Sequence, residues 1–276
     1  ITSGANGTVS DAGKMDGYSF IYVGGNSKVD SEGNTAVWCH SVTGNVFGAG
    51  SGIDHSNTRI SGSNTMGTNV TVADNGYVER GVYGGGSFGF CTATANIYVT
   101  GGHVAGKNGG VTNGTSVNTG YDSNIQGGVY GGSCQNKGGA TNIYMTGGLV
   151  ETGIYGGSNA YGDLSDGTNI VIVGGQVGTT SKTANVHGGG YGQNTVVNGN
   201  VDVAIGQYDA ATGDTYGNAI IYGDVYGGSA LGSVNGTTAT TTYHTNVSLN
   251  GGTIHGSLYG GALGNTSTAA NVYGPV

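Results

Sequence analysis

The chain has 276 residues, of which 62 are glycine, 18 are tyrosine and one is proline. Each glycine inside a helix costs about 1 kcal/mol relative to alanine, so this composition excludes long helices. The formal net charge is −8, and the seven Lys and Arg residues are scattered. The composition therefore argues against nucleic-acid binding, which needs clustered cations, and no apolar stretch approaches the ~20 residues of a membrane span.

The first predicted strand runs over residues 18–23 and ends at Gly24-Gly25. Its apolar and aromatic composition suits a pleated, half-buried surface. We interpret residues 1–46 as an N-terminal strand or arm region that includes a first rung. Residues 47–276 form the glycine-rich repeats, and no segment between them has the composition of a linker.

A short phrase with one ring returns along the rest of the chain. The ring is preceded by Val, Ile or Leu and is followed by Gly-Gly, or by Gly48-Ala49 in the first copy. The ring positions are Phe47, Tyr83, Tyr130, Tyr155, His187, Tyr226 and Tyr259. Self-similarity on this scale is typical of repeat architectures. We expect the rings to form one structural column with offset-stacked planes.

Each complete module begins with a predicted strand. Residues 142–146 and 246–250 alternate apolar and other side chains, which is the period of a half-buried strand. The Gly-Gly that follows predicts a corner, because glycine adopts positive φ without steric cost. An Asn opens each of these strands, and stacked copies of it are expected to bond each other between layers.

The distance between successive rings varies, because connections such as 107–126 are lengthened. Constant strands with variable connections predict an all-β, single-domain β-solenoid (a parallel β-helix) with loop insertions. Counting Tyr22-Val23-Gly24-Gly25 as a further corner predicts roughly eight rungs.

Two cysteines lie shortly after a ring in successive modules. Cys91 follows its ring by eight residues and Cys134 by four. A disulfide between rungs and a pair of buried thiols are the two alternatives, and the unequal offsets weigh against the disulfide.

Hydrolysis of a glycosidic bond needs two carboxylates at a fixed separation. The candidate carboxylate pairs are Asp163 with Asp166, Asp209 with Asp214, and Asp202 with Asp224. Each lies among Gly, Asn and Thr, where Asp usually serves turns. The histidines lack the spacing of metal ligands. We therefore predict no enzyme, no cofactor and no metal site.

The phrases Gly-Gly-x-Val and Val-Tyr-Gly-Gly-Ser resemble the glycine-rich repeats of large bacterial surface proteins, including adhesin-like and autotransporter-like β-solenoids. The resemblance covers about residues 47–276 and concerns repeat style. It implies an extracellular or cell-surface location and a scaffold or attachment role. It implies no particular site residues.

The terminal segments suggest how such a scaffold assembles. The residues at issue are Tyr18, Phe20 and Tyr22 in the first strand and Asn271, Val272 and Tyr273 in the last module-like segment. An unpaired strand edge templates another strand, and head-to-tail contacts that do not close give filaments. We therefore expect a filament or surface-fibre subunit that binds itself, with attachment to glycans or a host surface as an added task. The alternative is a carbohydrate-active β-helix enzyme or a glycan-binding module.

Overall fold

The computed structural model describes residues 18–24, 28–29, 35–36, 41–50, 66–89, 91–109, 126–236 and 242–276. These residues contain 26 β-strands and no helix, and most strand pairs are parallel. The prediction of an all-β chain without helix is therefore confirmed for this part of the protein. It follows that no membrane-spanning helix occurs in the ranges described.

The longest parallel sheet contains the strand that opens each module. These strands are β1 (Ser19–Val23), β6 (Thr68–Val72), β9 (Ala95–Val99), β12 (Thr141–Val150), β15 (Thr168–Val177), β18 (Val201–Ile205) and β24 (Thr245–Leu249). Each pairs with the opening strand of the next module in matching register, so that Ile97, Ile143 and Ile170 are direct neighbours. We call the equivalent strands of one module a layer.

A second run of short parallel strands continues the same sheet after the first corner. It contains β4 (Ser41–Val42), β7 (Tyr77–Val78), β10 (His103–Val104), the ends of β12 and β15, β21 (Ile220–Ile221) and β25 (Thr253–Ile254). The corner between the two runs needs glycine. Gly148 and Gly175 have φ of +82° and +83°, a region that side chains with a Cβ rarely adopt.

The ring-bearing strands form a separate, seven-stranded parallel sheet. They are β5 (Val46–Phe47), β8 (Val82–Tyr83), β11 (Val129–Tyr130), β13 (Gly153–Tyr155), β16 (Asn185–His187), β22 (Val225–Tyr226) and β26 (Leu258–Tyr259). Every strand pairs with its equivalents in the adjacent layers, and ring lies opposite ring throughout.

The remaining strands belong to three smaller sheets. A three-stranded parallel sheet contains β14 (Asn159–Leu164), β17 (Tyr191–Val197) and β23 (Ser233–Val234). β2 (Lys28–Val29) pairs antiparallel with β3 (Thr35–Ala36). β19 (Gln207–Tyr208) and β20 (Thr215–Tyr216) form an antiparallel hairpin in the lengthened connection after β18.

The core lies between the sheets and is built from alternate strand residues. In β6 and β9 every second side chain is buried, and Val70, Val72, Ile97 and Val99 have no exposed surface. Their equivalents in other layers belong to the same apolar cluster. The period of two in the sequence thus becomes a continuous aliphatic interior along the stack.

The described residues contain seven layers of ring strands, where roughly eight were expected. The difference comes from Tyr22, which was counted as the ring of an additional corner. Tyr22 lies in β1 opposite Thr71, so Gly24 ends an opening strand of the same layer that contains Phe47. The expected boundary between residues 46 and 47 falls inside β5.

Candidate assembly surface and aromatic column

The seven recurring rings lie in one stack. Centroid separations along the series Phe47, Tyr83, Tyr130, Tyr155, His187, Tyr226 and Tyr259 are 4.9, 5.1, 4.7, 5.2, 4.7 and 4.7 Å. The interplanar angles are between 1° and 18°. The rings therefore follow the strand spacing of the sheet, and stacking of each pair adds about 0.5–1.5 kcal/mol beyond burial.

Burial of the inner rings changes their acid–base behaviour. Burial raises the pKa of Tyr83 and Tyr130 well above the usual range for tyrosine. It also lowers the pKa of His187 to about 3, and Nδ1 of this ring is buried without a hydrogen-bond partner. His187 is therefore neutral at physiological pH and serves as a flat ring.

Tyr226 is buried less deeply, and its environment differs from that of the inner rings. Burial raises its pKa to about 12, and the hydrogen bond that its hydroxyl donates to the Asp224 carboxylate acts in the same direction. The O···O distance is 3.0 Å.

The glycine directly after each ring is required by contact between layers. A Cβ on Gly156 would lie 2.0 Å from the carbonyl oxygen of Gly188 and 2.9 Å from Cβ of Thr168. The same approach recurs at Gly131 and Gly227. These glycines permit the backbones of adjacent layers to meet, whereas the corner glycines after the opening strands supply positive φ.

A threonine that the sequence analysis did not use completes this corner. The first residue of an opening strand donates its hydroxyl to the carbonyl of the glycine after the ring. Thr68 bonds Gly84, Thr141 bonds Gly156 and Thr168 bonds Gly188, each at 2.6 Å. The signal was the Thr-Asn pair that opens four modules, of which only the Asn was interpreted.

The expected asparagine contacts occur between three layers. Asn96 donates to the side-chain oxygen of Asn69 at 3.2 Å, and Asn142 donates to that of Asn96 at 2.9 Å. In later layers Asp202 occupies this position, and Asn246 lies 3.4 Å from its carboxylate.

The last layer exposes side chains whose equivalents are buried in the layer before it. Leu249 and Leu258 are 51% and 44% exposed, whereas their partners Ile205 and Val225 are fully buried. Tyr259 is 45% exposed because only one face of its ring is covered by another ring of the column. We call these three residues, with β24, β25 and β26, the open end face.

The first layer is less exposed than the last. Val23 and Val46 are buried, and Ile21, Val42 and Phe47 are half-buried. On the outward side of β1, Tyr18, Phe20 and Tyr22 are exposed. Hence the inward side chains at the two ends of the stack differ in exposure.

Each of the two segments predicted to pair with a second subunit already pairs along one of its edges within the same chain. β1 pairs along its full length with β6. In the last segment, Asn271 accepts a hydrogen bond from Val234 N–H, Val272 bridges Val234, and Tyr273 donates to the Val234 carbonyl. The prediction of pairing with a second subunit therefore concerns only their opposite edges.

The two described cysteines are buried thiols and do not form the proposed disulfide. The Cys91 thiol donates to the Ala93 carbonyl, whereas Cys134 packs with Tyr83 and the ring cluster. Their unequal offsets from the rings place them in different surroundings. Cys39 lies outside the described residues.

Of the candidate carboxylate pairs, Asp209 and Asp214 lie in the same hairpin, where the Asp209 N–H donates to the Asp214 carbonyl. The Asp209 carboxylate accepts a hydrogen bond from the Ala211 N–H in the same turn, and the Asp166 carboxylate accepts one from the Ser165 hydroxyl. Asp224 accepts from the Ser257 N–H, and burial raises the pKa of Asp163.

Asp202 faces the His244 ring at 3.2 Å. Across the described ranges, no group of three His, Cys, Asp or Glu side chains is placed to hold a metal ion.

No protein-family description, curated protein or solved structure matches this chain.

Proposed function

We propose that this chain is a β-solenoid subunit of an extracellular filament or surface fibre, which assembles head to tail with further copies of itself. The solenoid interpretation is supported by seven layers that pair in parallel, each opening strand and each ring strand beside its equivalent in the neighbouring layers. The extracellular location rests on the resemblance of the repeats to those of bacterial surface proteins.

The observation that carries the proposal is the open end face. Leu249, Leu258 and Tyr259 are exposed on this face, and they are in register with residues that adjacent layers cover in the interior of the stack. Covering such apolar surface contributes about 25 cal/mol per Å². The Thr245 N–H at the start of β24 already donates to the Pro275 carbonyl, and pairing the rest of this strand edge adds backbone hydrogen bonds. A strand from a second copy supplies both.

Of the two routes to assembly, flush stacking and strand insertion, we propose strand insertion. Flush stacking needs an open apolar face on both copies, and the inward side chains of the first layer are buried or half-buried. Strand insertion needs only one open acceptor, as in donor-strand complementation. Salt is expected to have little effect, because Leu249, Leu258 and Tyr259 carry no charge.

The proposal is tested by comparing the intact chain with Leu249→Asp, a change at an exposed residue of the open end face, using sedimentation velocity over a concentration series. Polymers are expected for the intact chain and a strong reduction for the variant. Circular dichroism checks that both retain β structure. A variant that polymerises as readily as the intact chain, or an intact chain that stays monomeric at high concentration, contradicts the proposal.

A further inference from the structure

The side chains on the outward face of the opening strands differ in size from layer to layer. At the fourth position of these strands the residues in register are Tyr22, Thr71, Tyr98, Tyr144, Val171, Ala204 and Ser248. Tyr98 and Tyr144 stack with ring centroids 5.7 Å apart. In the two layers after Tyr144 this position is occupied by the smaller residues Val171 and Ala204. The surface therefore has a depression beside the Tyr144 ring.

The hairpin β19–β20 forms the other wall of this depression. It follows β18 directly and carries Tyr208, which is 54% exposed. Together Tyr144, Val171, Ala204 and Tyr208 help to enclose a cavity of about 330 Å³. We call this cavity the outer trough.

The size and chemistry of the outer trough are those of a ligand site. Its volume lies in the range of about 300–1,000 Å³ that is usual for such sites. Its surface is mostly apolar, with the amides of Gln207 and Asn250 at its border, and every described residue that lines it is uncharged. The trough therefore suits a neutral ligand with both apolar faces and hydroxyl groups.

We propose that the outer trough binds a neutral glycan chain. The C–H faces of pyranose rings pack on the Tyr144 and Tyr208 rings, and the Gln207 and Asn250 amides bond the hydroxyl groups. Because both amides donate and accept hydrogen bonds, they match hydroxyl groups, which do the same. An acidic polymer finds no cation among the lining residues to neutralise it.

A chain of sugars fits better than a single sugar because the trough is open and continues into the Tyr98–Tyr144 stack. Neighbouring layers lie about 4.8 Å apart, so the contacts repeat along the stack at nearly the length of one sugar unit. Leu249, Leu258 and Tyr259 do not line the trough, so glycan binding and filament assembly are tested by different variants.

The test is isothermal titration calorimetry of the intact protein with cellohexaose, xylohexaose and mannohexaose, and with hexagalacturonate as an acidic comparison. Binding of at least one neutral hexasaccharide at millimolar concentration or below is expected, with weaker or no binding of hexagalacturonate. Tyr208→Ala should weaken that binding about tenfold or more, a loss of about 1.4 kcal/mol.

Ala204→Tyr provides the sharper variant because it fills the trough. The substitution should be tolerated, since Tyr98 and Tyr144 occupy the same outward position in other layers. It should abolish glycan binding with an unchanged unfolding transition. Tyr216→Ala removes an exposed tyrosine from the second strand of the same hairpin, outside the lining, and should retain binding.

Four results would overturn the proposal. Three concern binding: the absence of binding for all three neutral hexasaccharides, binding that survives Ala204→Tyr, and tighter binding of hexagalacturonate than of any neutral chain. The fourth is self-association that depends on Tyr208, which would assign the trough to a second copy instead.

Discussion

Tyr226 and Tyr259 occupy the same position in successive layers, with the same flanking phrase, yet their surroundings differ. Tyr226 is stacked on both faces and is 7% exposed, whereas Tyr259 is stacked on one face and is 45% exposed. The same contrast separates Val225 from Leu258 and Ile205 from Leu249. The motif fixes where a side chain lies, and the neighbouring layer determines how much its burial contributes.

This contrast assigns different energetic roles to equivalent positions of the repeat. In an inner layer a ring or aliphatic side chain contributes stability to the subunit. On the open end face the equivalent side chain remains exposed and contributes less. Substitutions at matched positions of the two layers therefore separate folding from assembly.

The largest effect is expected at the glycine that follows an inner ring. Gly156→Val places a branched side chain against the Gly188 carbonyl and Thr168, and should destabilise the fold by about 4 kcal/mol or more. Urea unfolding measures this. Tyr155→Phe, which loses only the hydroxyl that accepts from Gln126, should cost about 1 kcal/mol.

The matched control for this contact is the last layer. A Cβ on Gly261 has no atom within 4 Å, whereas one on its equivalent Gly157 lies 2.7 Å from Gly190 N. Gly261→Ala should therefore leave the unfolding midpoint nearly unchanged and Gly157→Ala should lower it. Equal midpoints for the two variants, or for Gly156→Val and Tyr155→Phe, would refute the interlayer contact.

The next effect concerns the rings themselves. Tyr226→Ala should destabilise by about 3–5 kcal/mol, the range for removing a buried aromatic side chain, whereas Tyr259→Ala should cost about half as much or less. Both are measured by urea unfolding at a protein concentration below the onset of assembly. Similar losses for the two variants would mean that the open end face is already covered in solution.

Acid should destabilise the inner column through His187. The pKa of His187 is about 3 in the folded protein, whereas the ordinary value for histidine is 6.5. As the pH falls, the unfolded chain therefore binds a proton at this residue before the folded protein does. Stability is therefore retained above pH 6.5 and lost by about 1.4 kcal/mol per unit below it, until the folded pKa is reached.

His187→Phe tests this directly, because Phe47 already occupies the equivalent place in the first layer. As the pH falls from neutrality to mildly acidic values, the wild type should lose unfolding free energy steadily relative to the variant. A difference that does not change with pH would show that His187 is not the responsible group.

The smallest effect is expected at the outward asparagines. Asn96 both donates to Asn69 and accepts from Asn142, so Asn96→Ala should cost about 1 kcal/mol. Asn246→Ala removes only a 3.4 Å contact with Asp202 and should cost less. If thermal unfolding gives the reverse order, the asparagine contacts do not stabilise the layers.

The sequence predicted the features that depend on local pattern. Alternation along the opening strands predicted which side chains are buried, and the recurring phrase predicted which residues are equivalent. The positions of the seven rings follow from the same equivalence. Phe47 and His187 belong to the series because their flanking residues match, although neither is a tyrosine.

What the sequence did not predict depends on contacts between layers or on how a loop is placed. Tyr22 resembled a ring residue because Val-Gly-Gly follows it, and only strand register assigns it to β1. The hydroxyl bond from Thr141 to Gly156 joins residues of two different strands. The outer trough depends on a register that sets Val171 and Ala204 beside Tyr144, and on the hairpin that carries Tyr208.

The most direct test of the central claim is electron microscopy of negatively stained protein, comparing wild type with Leu258→Asp over the same concentration series. Leu258 is 44% exposed on the open end face, so a charge there should block assembly without unfolding the subunit. Tyr208→Asp, at a similarly exposed residue on the outward face, is the control and should not affect assembly. The account predicts filaments for wild type and for the control, and single particles for Leu258→Asp. Filaments that persist in Leu258→Asp, or a wild type that forms none, would contradict it.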